Sequence, residues 1–150
     1  MKLKPGDKAP YFEARNQDGQ TVKLSDFLGK KLVLYFYPKD NTPTCTTEAC
    51  NLRDNYGKLR SEGYEILGVS TDSEKSHKNF RKKFDLPFDL LEDTGHQLVT
   101  LYDVWGEKFT FGKHYMGLKR TTFVIDENGV ISDIIEDVQS KNHSEQILGN

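Results

Sequence analysis

The run from Lys31 to Tyr37 (KLVLYFY) constrains the fold more than any other segment of the chain. After Lys31 every position is apolar or aromatic, and Pro38 ends the run. A strand with no polar face is buried on both sides, as in a parallel sheet covered by helices. The stretch from Pro43 to about Ser61 follows, with Ala49, Leu52, Tyr56 and Leu59 at helical spacings of three and four. Gly63 supplies a C-terminal stop. Tyr64 to Ser70 (YEILGVS) is then a second short strand. Strand, long helix and strand form a βαβ unit with a right-handed crossover.

The flanking segments complete an α/β reading. Phe12 to Leu24 alternates apolar and polar residues around Asp18-Gly19, which predicts an N-terminal β-hairpin closed by a type I′ turn. A basic helix is expected over Glu74 to Phe84, with Phe80 and Phe84 inward. Phe88 to Leu91 is extended after Pro87, and His96 to Tyr102 reads as a helix. Thr121 to Asp126 and Val130 to Asp137 flank Glu127-Asn128-Gly129, the strongest hairpin signal in the chain. A short helix is expected over Asn142 to Leu148. The sum is a central mixed sheet flanked by helices, opened by a hairpin, in one domain over residues 1–150.

Composition removes several function classes. Leu, Ile, Val and Phe supply 38 of 150 residues at a net charge of -2, which excludes a disordered chain. There is no basic excess for nucleic acid, and no apolar run approaches the ~18 residues of a membrane span. The N-terminal residues lack the apolar core of a secretory signal, so a cytoplasmic setting is expected. Two cysteines cannot build a disulfide scaffold, and in a reducing compartment they are catalytic, metal-binding or buried. Few exposed apolar stretches point to a monomer.

The chemistry is concentrated between Pro38 and Cys50 (PKDNTPTCTTEAC), where the first central strand gives way to the long helix. Sites in open α/β sheets form outside the carboxyl ends of strands. Thr42 suits the N-cap and Pro43 the first helical position, which makes Cys45 the third helical residue. There, backbone N–H groups lack intrahelical partners and the positive end of the helix dipole falls. A thiolate, not a thiol, is the nucleophile, and helix N-termini with neighbouring cations bring cysteine pKa values from about 8.5 to about 3.5–7.5. The dipole supplies about 0.3–1 kcal/mol, so a cation is needed as well. Lys39 and Arg53 are near in sequence, and the distant Arg120 is equally admissible. The competing reading is an inert cysteine, since Cys45 also lies on the apolar stripe four residues before Ala49.

Cys50 sharpens the choice. Five residues along a helix amount to roughly 140° around the axis and about 7.5 Å of rise, so the two Cα atoms lie roughly 8–9 Å apart. A disulfide needs about 4.4–6.8 Å. The pair is therefore either unrelated or a two-state switch that requires the first turns to unwind. Four intervening residues depart from the two of thioredoxin-type exchange. His77, His96, His114 and His143 show no paired-ligand spacing, so no metal site is expected and these histidines read as surface residues.

With these residues in view, the chain resembles the peroxiredoxins, whose signature of proline, threonine or serine, and peroxidatic cysteine matches Pro38, Thr42 and Cys45. The second cysteine five residues on is similar to the peroxiredoxin Q, or bacterioferritin comigratory protein, subfamily. The resemblance extends through KPGDKAPYFE, LGVSTDS, DVWGEK near Trp105 and RTTFVIDENG from Arg120. It implies a thioredoxin-like fold and a thiol-dependent peroxidase that acts on hydroperoxides. Cys45 would be the peroxidatic thiolate, Thr42 a hydrogen-bond partner of the peroxide, Pro38 a shield, Arg120 the activating cation and Cys50 the resolving cysteine. Glu48 would support them. Thioredoxin or a similar dithiol would be the reductant, with no metal, haem, flavin or nicotinamide on the chain. Thr44 stands where the family mostly has glycine, and its added bulk bears on the peroxide pocket and on helix opening. Two other classes share the cysteine pair: a thiol–disulfide oxidoreductase and a non-enzymatic redox sensor.

Overall fold

Alternation along the first central strand decides how the layers stack. β3 (Lys31–Phe36) sends Leu32, Leu34 and Phe36 into one buried cluster. Val33 and Tyr35, with Tyr37 just beyond the strand, enter the other. Successive strand side chains point to opposite faces, so a run without polar members requires cover on both. The computed structural model describes residues 2–110 and 112–149. Before β3 come β1 (Glu13–Arg15) and β2 (Thr21–Lys23); after it come α1 (Pro43–Asp54), α2 (Tyr56–Ser61), β4 (Tyr64–Ser70), α3 (Glu74–Lys83) and β5 (Asp89–Glu92). The remainder is α4 (Gln97–Leu101), β6 (Trp105–Thr110), β7 (Lys113–Leu118), β8 (Thr121–Ile125), β9 (Ile131–Ile135) and α5 (His143–Leu148).

Seven strands form one mixed sheet in the order β2-β1-β5-β4-β3-β8-β9. β3, β4 and β5 run parallel, while β8, β9, β1 and β2 are antiparallel to their neighbours. On one face, Cys45, Ala49 and Leu52 of α1 pack with Phe80 of α3 and Ile147 of α5 over Val33 and Tyr35. On the other, Leu98 and Val99 of α4 join Tyr102, Phe12 and Leu24. Leu52 is fully buried, and cutting such a side chain back to alanine costs about 2–5 kcal/mol.

Several expectations need correction. The long helix is two: α1 stops at Asn55, whose backbone leaves the helical region (φ -112, ψ 14). The Asn55 side-chain Nδ2 donates to the Asn51 carbonyl at 2.9 Å, competing with helix propagation. The N-terminal hairpin is present, but its turn is not type I′. Gly19 (φ +74) has a positive φ and Asp18 does not. Gly19 N–H donates to Asn16 O at 3.0 Å and Asn16 N–H to Gln20 O at 2.9 Å, a three-residue loop with glycine in the left-handed position. Asp126 to Val130 repeats this pattern at the β8–β9 turn, with Gly129 at φ +78. The β6–β7 ribbon was not anticipated. Among the described residues its strands pair only with each other, and β7 is exposed over its first four residues, so it offers no buried alternate face to read. No helix among the described residues is long and apolar enough to cross a membrane.

Candidate active site

Cys45 is the third residue of α1, after Pro43 at the first helical position, as the sequence predicts. Its side chain is 2% exposed and faces the sheet with Ala49 and Leu52. Of the three cations considered, Arg120 is the one at the sulfur. It reaches in from the segment between β7 and β8, and its Nη2 donates to Cys45 Sγ at 3.0 Å. Arg53 instead binds Asp54 and the Phe84 carbonyl, at 2.9 and 2.8 Å. A guanidinium on sulfur at a helix N-terminus stabilises the ionised thiol through a charge-assisted hydrogen bond added to the dipole.

Arg120 divides its donors. Nη1 bonds Glu48 Oε1, while the Glu48 side chain is fully buried. Burial pushes the Glu48 carboxyl up to about 7, against the opposing pull of Arg120. Burial lowers the Arg120 pKa, but Glu48 and Cys45 outweigh it and the guanidinium lies above its ordinary value. Glu48 Oε2 has no hydrogen-bond partner among the described residues. It lies 3.6 Å from Nε2 of His143, which is itself fully buried. Burial, and then Arg120, hold His143 below its ordinary value. Tyr35, underneath, is raised well above the phenol range by burial first and then by Glu48.

The other expected site residues fall around this contact. Thr42 sits at the N-cap with extended backbone, but its side chain does not cap the helix. Its hydroxyl donates to the Lys39 carbonyl at 3.1 Å, which leaves the oxygen lone pairs free to accept. Pro38 is half-buried immediately after Tyr37. Cys50 is half-buried on the same helix, and both cysteines are free thiols. Thr44 is exposed and lines a hollow with Pro43, Thr47 and the 139–142 segment, away from the Arg120 contact. A separate cavity of about 320 Å³ beside Arg120 is walled by Trp105, Lys119, Thr121 and Glu136, among others.

Sequence reasoning missed the support of the loop before Cys45. His77 and His143 are fully buried, not surface residues. Asp40, also buried, accepts from Tyr37 Oη at 2.6 Å and Ser76 Oγ at 2.8 Å. His77 Nδ1 meets Asp40 Oδ2 at 2.7 Å and Nε2 meets the Leu91 carbonyl at 2.9 Å. The ring is therefore held at both nitrogens. Asp72 Oδ2 takes the Asp40 N–H at 2.7 Å. Asp40, Asp72 and His77 bring ligand-type atoms within 4.8 Å of one another, but those atoms are engaged in these hydrogen bonds. An inward residue in so polar a helix as α3 was the available signal.

A cysteine sulfur held by a guanidinium at the head of a helix, beyond the carboxyl end of a central parallel strand, is an arrangement suited to a thiol enzyme on a thioredoxin-like scaffold. Comparison with known proteins gives the family. The AhpC/TSA family model matches residues 5–134. Peroxiredoxin Bcp of Bacillus subtilis (strain 168) is 47% identical over 148 residues, covering 99% of this chain and 94% of that one. The crystal structure of a cysteine-to-serine mutant of Xylella fastidiosa PrxQ superposes with a TM-score of 0.92 at 31% identity, covering 99% and 95% of the two chains. A structure of Xanthomonas campestris bacterioferritin comigratory protein, from work on its alkyl peroxide reduction, gives 0.86 at 35% identity, covering 92% and 88%. The chain belongs to the AhpC/TSA family, in its Bcp or PrxQ branch of peroxiredoxins, and is a thiol-dependent peroxidase.

Proposed function

We propose that Cys45 is the peroxidatic residue of a two-cysteine cycle that reduces hydrogen peroxide and organic hydroperoxides. The Cys45 thiolate attacks the terminal oxygen of the hydroperoxide. The O–O bond breaks, the sulfur becomes a sulfenic acid, and the leaving oxygen takes a proton to depart as water or an alcohol. Arg120, the free N–H groups of the first α1 turn and the Thr42 hydroxyl stabilise charge on the peroxide oxygens, as an oxyanion hole does. Pro38 limits solvent access to the sulfur. Cys50 then condenses with the sulfenic acid, releasing water and forming a disulfide. Thioredoxin or a similar dithiol reduces that bond by exchange. The named alkyl peroxide reduction of the Xanthomonas relative supports organic hydroperoxides as substrates. The working form is a cytoplasmic monomer, and residues 1–150 act as one unit.

The observation that carries this reading is Arg120 Nη2 at 3.0 Å from Cys45 Sγ. The test is peroxide consumption with thioredoxin and its reductase. Cys45→Ser abolishes turnover, because a serine hydroxyl is not ionised at neutral pH. Cys50→Ser reduces about one equivalent of peroxide and then stalls with thioredoxin. Equal steady-state activity of Cys45→Ser and wild type overturns the assignment.

A further inference from the structure

The proton inventory behind Arg120 is incomplete in a way that bears on the resolving step. His143 Nδ1 lies 2.9 Å from Gln146 Oε1. That atom is fixed as an acceptor, because it also takes the Gln139 N–H at 2.9 Å while Gln146 Nε2 donates to the Asp137 carbonyl. His143 therefore carries its hydrogen on Nδ1, and Nε2 offers a lone pair to the Thr122 hydroxyl at 2.7 Å. Glu48 Oε2, with no hydrogen-bond partner, faces that same Nε2 at 3.6 Å with both side chains fully buried. Two acceptors confront each other there. Nε2 has one in-plane site, so a proton placed between them joins α1 to α5 as the Thr122 hydroxyl gives up that site, turning to accept or turning away. One turn further along, Asn51 joins the same pair of segments, donating to the Lys141 carbonyl and accepting the Ser144 N–H, both at 2.8 Å.

We propose that Glu48 and His143 form a proton-dependent latch between α1 and α5, whose release governs how readily the Cys45 turn opens for resolution by Cys50. The inference rests on the two-cysteine cycle above. Glu48 lies between the two cysteines, so an unwinding that lets them meet also draws Glu48 out of its site. The groups facing it are Arg120 from the β7–β8 segment, Cys45 on its own helix, Tyr35 of β3 and His143 of α5. Buried, Glu48 titrates at about 7; in water it returns to its ordinary 4.5 and releases its proton. The latch is therefore complete below the ordinary carboxylate value and is lost as pH rises through about 7. His143 stays in α5 against Thr122 and Gln146, so its own titration changes less on opening.

The test is hydrogen exchange in Cys45→Ser protein, in which no thiol at position 45 titrates. Protection of the amides of residues 46–51, corrected for intrinsic exchange, falls roughly five- to tenfold from pH 6 to pH 8. Adding Glu48→Gln flattens that dependence, and adding His143→Asn diminishes it by lowering protection at pH 6. The amides of β3 and β4 remain protected in all three proteins. Should His143→Asn fail to fold, Gln146→Leu, which frees Nδ1, replaces it. Equal slopes with and without Glu48, no slope at all, or a slope indifferent to the His143 or Gln146 change overturns the latch. No peroxide or reductant enters the measurement, so failure of the latch is separable from failure of the catalytic reading.

Discussion

Two buried carboxylates flank Cys45, and they are treated oppositely. Upstream, Asp40 receives Tyr37, Ser76 and His77, and its backbone N–H is taken by Asp72. Downstream, Glu48 receives Arg120 on one oxygen and, among the described residues, nothing on the other. A satisfied buried network fixes one geometry, whereas a partly satisfied one is held at a cost and is easily given up. The difference matches what the reaction needs. In the proposed cycle the loop that presents Pro38 and Thr42 stays in place, while the turn that carries Glu48 and Cys50 opens. Cys45, the proposed peroxidatic residue, sits at the boundary between the two.

Breaking the fixed side gives the largest effect. His77→Leu leaves the buried Asp40 carboxyl and the Leu91 carbonyl each short of a partner, at about 1–3 kcal/mol apiece. At about 2–4 °C per kcal/mol for a chain of this size, a thermal melt shows a fall of roughly 10 °C. Peroxide attack slows with it, because the loop before α1 loses its anchor. A melting temperature within a degree or two of wild type removes the network from the comparison.

Arg120→Ala acts where the two sides meet and comes next. Losing a preorganised donor of this kind slows reaction about 10²–10³-fold. Stopped-flow measurement of the first peroxide step shows the loss, while Glu48, now without a cation, holds its proton to higher pH. An attack rate close to that of wild type means that Arg120 contributes packing alone. The smallest effect belongs to Asn51→Ala, which removes two hydrogen bonds on the releasable side, worth about 1 kcal/mol each. It loosens α1 and leaves peroxide attack unchanged, and disulfide formation from the sulfenic acid accelerates a few-fold in a rapid-mixing assay. A slower resolving step reverses the assignment of that side as the one that opens.

Much of this was legible in the sequence because local signals agreed. An apolar run at β3, helical spacing in α1 and Pro43 behind Thr42 specify strand, helix and cap from neighbouring residues alone. They put Cys45 in the first turn, and the five-residue offset to Cys50 sets the distance that a disulfide must overcome. The β6–β7 ribbon was hidden because a strand pair with little burial leaves no period to read. The helix break at Asn55 was hidden because a side chain competing for one carbonyl has no periodic signature.

Which charges meet was decided by the tertiary structure. Arg120 stands 75 positions from Cys45 in the chain, and by spacing and capping alone Lys39 and Arg53 were no worse; the family resemblance was what singled it out. His77 and Asp40 are 37 apart, and nothing in a basic helix announces that one inward histidine will find a carboxylate. Electrostatic and hydrogen-bond energies depend on distance and burial in space, while periodicity and capping depend on separation along the chain. The local signals of the sequence therefore determined the scaffold and the place of Cys45 in the first helical turn; folding determined the guanidinium against its sulfur, the carboxylate behind that guanidinium and the histidine behind the carboxylate.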